Sequence, residues 1–533
     1  MAAHFDVLIL GTGVPEGVLS AALSRAGKTV LHVDANAYYG ESWASLSLAE
    51  LAAWAHNTPG ATLAFPRANT EGRVPEEMKP LDRYYSLSLR PTLLPSHGPM
   101  IEAVVRSNVA TYATFRLLDH VATFNATSAQ LERVPSNKSE IFKHKGVSLA
   151  DKRRLMRFLQ LAAEHDRSSL PPTLSGVLSD TLQLTPALQS ALQYGAALSW
   201  GADEATETAF GRVHTYLKSL GKYGDGAYLC GQYGGAGELA QGFARSSAVH
   251  GGMFILGHAV ENLAYNDAQW SLSLAGIPDT FTADQLAAPS AVLGKHVQTI
   301  VAHEHLAIFV TDTPLDWERV AHTGLEEEAT TPETALLVFP PGSVGANERA
   351  VMVLMQGEGT FSCPKGQYVF YITTHTGGPD LHTPQTVLGP SLVQLETLLA
   401  VPGRPPILTL YTSRAIPDQD EHTAPAFVDT TARSTSAVPR SSLDLEADAP
   451  SQPIPNMTEI LDLAVQDAEH AFWQIAGTES LREEARHVAY ARQKHHDIAA
   501  YQGRGGAEPD KEKAPPRAAL EFFSPATEKD EAM

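Results

Sequence analysis

Cysteine is scarce in this 533-residue chain, with Cys230 and Cys363 the only two. That excludes a disulfide framework and implies a reducing compartment. Positive charge is short as well: 39 Lys and Arg stand against 60 Asp and Glu, a net charge of −21. So acidic a chain is a poor general binder of nucleic acid or of anionic membrane, a local basic patch aside. No apolar run approaches the ~18 residues of a membrane span. The N-terminus is not expected to be a signal peptide, since Asp6 precedes the first apolar run and Gly11-Thr12-Gly13, Pro15 and Glu16 interrupt it. The N-x-S/T matches at Asn125, Asn137 and Asn456 therefore read as chance, and the expected location is the cytosol. CxxC, HExxH and GxSxG are all missing. His495 and His496 are adjacent, and neighbours on a helix point different ways, so they suit solvent better than a metal. Nothing near Cys363 activates it, and it reads as a structural thiol.

What is present begins at residue 5. FDVLILGTGVPEGVLSAALSRAGKTVLHVD has the strand, glycine loop, helix, strand and terminal acid of a dinucleotide-binding βαβ unit. Pro15 in the first helical turn, the stripe Val18, Leu19, Ala22, Leu23 and the stop at Gly27 support that reading. One glycine of G-x-G-x-x-G is missing, and Glu16 stands in its place. The loop brings a pyrophosphate against free N–H groups at the helix N-terminus, where the macrodipole favours an anion. A carboxylate there repels it by ~4 kcal/mol at ~4 Å and an effective dielectric of about 20. That is about half of a micromolar binding free energy of ~8 kcal/mol. The substitution weighs against a bound flavin or nicotinamide.

Along the rest of the chain, 66–80 is polar, rich in breakers and reads as an inserted loop, and MIEAVVRSNVATYATFRLL reads as a helix. The texture is helical from 134 to 221, where LADKRRLMRFLQLAAEHD places Leu155, Phe158, Leu159 and Ala162 on one face. Short β-type runs return over 250–375. Residues 415–456 are dense in Asp, Ser, Thr and Pro and read as an exposed mobile insertion. An amphipathic helix is expected at 457–476, and the tail after 502 lacks an apolar face and is expected to be disordered. The expected class is α/β: a Rossmann-type, FAD-binding-like domain without cofactor, plus a smaller inserted helical domain. Its expected divisions are 1–133, 134–221 (helical), 222–414, 415–456, 457–501 (C-terminal helical) and 502–533.

GTGVPE, LHVDANAYYGESWASLS and YGGAGELAQGFARSSAVHGGMFIL together resemble the superfamily of Rab GDP-dissociation inhibitors and Rab escort proteins. Its members keep a flavoprotein-like fold and use it to bind small GTPases, and a glutamate in GTGxxE is part of their pattern. Pro15, Tyr38-Tyr39-Gly40, Trp43-Ala44-Ser45 and the segment VPSNKSEIFKHKGVSLADKRRLMRFL look like the escort branch. The resemblance is dense over 5–50, 134–160 and 220–260 and thin elsewhere. It implies a non-catalytic accessory of Rab geranylgeranyltransferase, without cofactor. Such a protein binds new GDP-bound Rabs, presents them to the α/β transferase and shields the geranylgeranyl lipid until delivery to a membrane. The alternative is a GDP-dissociation inhibitor that recycles prenylated Rabs; a FAD-dependent oxidase, opposed by Glu16, is the third.

By the same resemblance the Rab platform would comprise Tyr39, Glu238, Gln241 and Arg245, with apolar contacts from Met253 and Ile255. Glu238 and Arg245 equally suit a local network on their helix. YGGAGE also has one residue more than the family's Y-G-x-G-E, which leaves the placement of Glu238 open. By position, Tyr216, Lys222 and Phe210 are candidates for transferase docking, with Tyr216 equally suited to core. Leu155, Phe158, Leu159, Leu184 and Leu188 are candidates for a prenyl cleft, although an amphipathic helix is more often plain core.

Overall fold

The computed structural model describes residues 3–134, 148–163, 169–289, 300–317, 320, 332–380, 382–417, 426–430, 454–476 and 522–523. The reading of an escort-type opening over 135–147, most of 415–456 and almost all of 477–533, with His495 and His496, lies outside those residues.

The expected βαβ unit forms. Strand β1 (Ala3–Leu10) pairs in parallel with β2 (Val30–Asp34), and α1 (Val14–Arg25) crosses between them. The sheet continues as β3 (Met253–Leu256) on the β2 side, with β4 (Val260–Asn266), β5 (Gln269–Leu274) and β6 (Ile277–Ala288) on the other. Its order is β3-β2-β1-β6-β5-β4, and β7 (Phe427–Asp429) adds a parallel partner to β6. β7 corrects the expectation of a loop throughout 415–456. Val428 is buried in the core, so this stretch contributes a strand where its few apolar residues allow one.

A second, nine-stranded sheet carries most of the remaining β-structure. Two of its strands, Thr334–Phe339 and Val351–Gln356, are near-continuous apolar runs buried on both faces, and Tyr368–Gly377 and Ile300–Thr311 continue the sheet beside them. The strand Leu408–Pro417 joins their edge and runs past the boundary expected at 414.

Eight longer helices are described: α1, α2 (Leu48–Asn57), α3 (Pro99–Arg106), α4 (Leu149–Ala163), α5 (Thr206–Ser219), α6 (Ala236–Val249), α7 (Pro384–Thr397) and α8 (Ile460–Ala476). The helix expected across MIEAVVRSNVATYATFRLL ends early, at Arg106. Asn108 turns into the left-handed region at φ 64, and Phe115–Leu117 pairs as a strand with Tyr228–Gly231. Between residues 148 and 219 the described residues include α4, α5 and two π-helical turns, Val177–Thr181 and Ala191–Ala196.

The amphipathic helix expected at 457–476 is α8. Its buried face, Ile460, Leu461, Ala464, Ala468, Phe472 and Trp473, packs on α1 and α3. The tail is a partial surprise. Phe522 and Phe523 are buried, Phe522 edge-on to Phe472 at 5.5 Å and Phe523 tilted against Phe243 at 6.0 Å. These two rings reach the core from a stretch of sequence that has no periodic face.

Candidate protein-interaction site

The glycine loop at the end of β1 is closed over by its own chain. Asp34 accepts the Thr12 backbone N–H at 3.0 Å, takes the Thr12 hydroxyl, and accepts the Asn36 backbone N–H at 2.8 Å. A Cβ built on Gly13 would lie 2.5 Å from a Glu16 carboxyl oxygen and 3.3 Å from the Trp43 ring. One built on Gly11 would lie 2.5 Å from a Glu41 carboxyl oxygen. Two carboxyl groups thus sit on the glycine face that a dinucleotide would need. Both are pushed well above the usual carboxylate range, first by burial and then by nearby negative charge, that of Asp34 on each and that of Glu16 on Glu41. The residues present do not fit a flavin or nicotinamide dinucleotide: its pyrophosphate would meet occupied space and acidic groups.

Helix α6 lies against α1, and that contact decides which way its polar residues face. Leu239, Ala240, Phe243 and Ala244 are buried, and Ser247 bonds Ser20 and Ser24 of α1 at 2.8 and 2.9 Å. The opposite face is left exposed with Gln241, Arg245, Ala248 and Val249. Spacings of three and four residues put Glu238, Gln241 and Arg245 in one row. The extra residue in YGGAGE is absorbed before the helix: Gly234 and Gly235 take φ values of 87° and 77°, and Glu238 falls in the first turn of α6. Glu238 is half-buried, and that burial raises its pKa.

The guanidinium of Arg245 lies 4.2 Å from the ring centroid of Tyr112. Tyr112 was not among the sequence candidates. Nothing in its local pattern marks it, because it joins the site by the turn that follows α3.

Tyr39 stands in the turn after β2, half-buried and edge-on to Phe254 at 5.9 Å. Phe254 belongs to β3, whose other side chains include Met253, 51 % exposed, and half-buried Ile255. α6 touches both β3 and the turn Glu41–Trp43, so the elements bearing Tyr39, Met253 and the α6 row adjoin one another.

The helical candidates fare differently. Phe210 is fully buried, 5.4 Å from the ring of Phe158, and is a core residue of the helices; as placed it cannot anchor an external partner. Phe158 and Leu184 are buried in the same cluster, Leu159 and Leu188 pack on it half-buried, and Leu155 is buried one turn before. These side chains close on one another. Tyr216 is half-buried with its ring 5.8 Å from that of Tyr228, while Lys222 is exposed beside Tyr223. Both cysteines are buried with thiols pushed up to about 12, which fits the inert reading of Cys363. Among the described residues no three His, Cys, Asp or Glu side chains group as a metal site, and no helix is long and apolar enough to cross a membrane.

The GDP dissociation inhibitor family matches residues 1–323, more than half of the chain. A Drosophila melanogaster protein, Rab proteins geranylgeranyltransferase component A, is 29 % identical over 394 residues, covering 70 % of this chain and 74 % of that one. Rab escort protein 1 of Arabidopsis thaliana is 26 % identical over 434 residues, covering 70 % and 77 %. The crystal structure of a Rab GDI from Plasmodium falciparum superposes with a TM-score of 0.63 at 17 % identity, over 90 % of this chain and 99 % of that one, a likeness of fold. With its FAD-binding-like α/β architecture and an acidic residue in place of the third glycine, the chain belongs to the GDP dissociation inhibitor family.

Proposed function

We propose that this protein is a Rab escort, binding newly made GDP-bound Rab GTPases, presenting them to Rab geranylgeranyltransferase and carrying the lipidated product to membranes. The observation that carries the reading is the outward row Glu238, Gln241 and Arg245 on a helix whose other face is locked to α1. A rigid polar row with a single guanidinium suits recognition of a folded partner. The protein performs no covalent step itself; the transferase supplies the chemistry, and the expected site of action is the cytosol. Tyr39, Met253 and Ile255 complete the platform with a ring and two apolar side chains.

Transferase docking falls to Lys222, exposed at the end of the helical region, with the rim of Tyr216 beside it. The geranylgeranyl chain enters between the helices, parting the cluster of Phe158, Leu159, Leu184 and Leu188 near Leu155. The π-helical turns at 177–181 and 191–196 support that reading, since such turns interrupt regular helix bonding and recur at functional sites.

The relatives named as inhibitors of GDP dissociation give the second reading, a protein that binds prenylated Rabs and ignores the transferase. Titration of the purified protein against GDP-loaded Rab and against the transferase α/β heterodimer separates them. An escort binds both, and Lys222→Ala weakens the transferase about ten-fold, ~1.4 kcal/mol, leaving Rab affinity within two-fold. Binding to Rab alone establishes the inhibitor, and binding to neither removes both.

A further inference from the structure

Tyr233 and Phe361 are 128 residues apart in sequence and stack face to face, with ring centroids 5.0 Å apart and planes 13° from parallel. Both rings lie open to solvent, 45 % and 50 % exposed. Neither backbone is relaxed: φ is 51° at Tyr233 and 55° at Phe361, a left-handed conformation that bulky L-residues rarely adopt. The surroundings hold both in place. Tyr233 donates its backbone N–H to Thr360 O at 2.9 Å, and Ser86 donates its hydroxyl to Tyr233 O at 2.6 Å. The Ser86 backbone N–H bonds Ser362 O at 3.1 Å, and the Gln232 side chain bonds Gly359 O at 3.0 Å. Two strained turns are thus clamped together, and what the clamp presents is a pair of exposed aromatic faces. Strain of this kind persists where the surroundings over-determine it, and it concentrates at binding sites.

We infer that the Tyr233–Phe361 stack is a second anchor for the bound GTPase, continuous with the α6 platform. This rests on the reading of α6 as a Rab site. Tyr233 leads directly through Gly234 and Gly235 into α6, and Glu238 follows five residues on. The extra residue of YGGAGE lies in this connection, where two left-handed glycines take the chain from the strained Tyr233 into the helix. The occupant is therefore the same GTPase that lies along Gln241 and Arg245. One of its side chains, apolar or guanidinium, lies flat on the rings. A pre-ordered aromatic pair loses little entropy on binding, which is why such residues dominate interface energetics.

The test compares wild type, Tyr233→Ala, Tyr233→Phe, Phe361→Gly and Arg245→Ala, each titrated with one GDP-loaded Rab and each unfolded thermally. Phe361→Gly is the informative variant, because glycine accepts φ 55° without strain. We expect it to keep its unfolding midpoint within about 2 °C or to raise it, while its Rab affinity falls at least five-fold. Tyr233→Ala should fall as far, and Tyr233→Phe, which keeps the ring face, should stay within two-fold. Rab affinity at the wild-type level in Tyr233→Ala and Phe361→Gly, with Arg245→Ala weakened, would overturn the anchor and leave the platform standing. A loss of affinity matched by a fall in midpoint would make the stack structural and also overturn it. No binding of GDP-loaded Rab by the wild-type protein would remove the platform and the anchor together.

Discussion

The role proposed for Arg245 is one that its environment makes separable from folding. The residue is exposed, it leans on the Tyr112 ring, and the buried face of its helix is fixed by Phe243 and Ser247 without it. Arg245→Ala should leave the thermal midpoint unchanged and weaken binding of GDP-loaded Rab by ~1.5–3 kcal/mol, about ten- to a hundred-fold, the loss of a charge-assisted bond. Titration beside an unfolding curve checks both halves; equal affinity would make Arg245 a helper of Tyr112 alone. Glu16 is the opposite kind of residue. Burial, with Asp34 adding to it, lifts its pKa above the ordinary 4.5. An acid raised on folding contributes stability that is complete below its unfolded pKa and is lost as pH rises through the folded value. Glu16→Gln is free of that loss. Its midpoint should match wild type near pH 4.5 and exceed it by several degrees at pH 8, and a difference independent of pH would contradict this. Residue identity made Glu16 legible from the start, because the glycine pattern names the place where it intrudes. Glu41 was not legible: its carboxyl reaches the same loop from a turn whose φ of 46° no pattern announces.

Elements with a strong period were readable and those that depend on distant partners were not. β1, α1 and β2 follow from the glycine motif, and α8 from its apolar stripe. The segment 107–117 has apolar residues enough for a helix, yet its end, Phe115–Leu117, pairs as a strand with Tyr228–Gly231, a choice made by a partner more than a hundred residues away. The same holds for β7 and for the tail, where Phe522 and Phe523 find Phe472 of α8 and Phe243 of α6. Because Phe243 lies on the buried face of α6, the Phe523 ring braces that helix from behind. Truncation after residue 519 should remove both rings and cost about 3 kcal/mol or more, in the range of a buried Phe→Ala change. Chemical denaturation of the truncated and full-length proteins measures it, and coincident curves would show that the tail adds nothing to the core.

Taken as one molecule, the chain joins a closed nucleotide fold to a helical region through charge as well as packing. Arg212 of α5 is buried between Glu204 at 2.7 Å and Glu459, next to α8, at 2.8 Å. That buried network fixes the helical region against the C-terminal helix, and breaking it would leave an uncompensated charge. The proposed platform on α6 and the proposed transferase surface at Lys222 therefore sit on one framework while using different residues. The class of fold was legible, since it rests on local motifs, and so was the side-by-side placement of Glu238, Gln241 and Arg245, which follows from helical spacing. The docking and lipid candidates were read by position alone, and burial of Phe210 and closure of the leucine cluster show how little a helical stripe says about which apolar side chains stay accessible. The central claim is that this framework makes a Rab GTPase a substrate for another enzyme. It is tested most directly by geranylgeranyl transfer to a GDP-loaded Rab by purified Rab geranylgeranyltransferase, with and without this protein. The account predicts transfer that depends on the protein and falls with Arg245→Ala; transfer at the same rate in its absence and presence would contradict it.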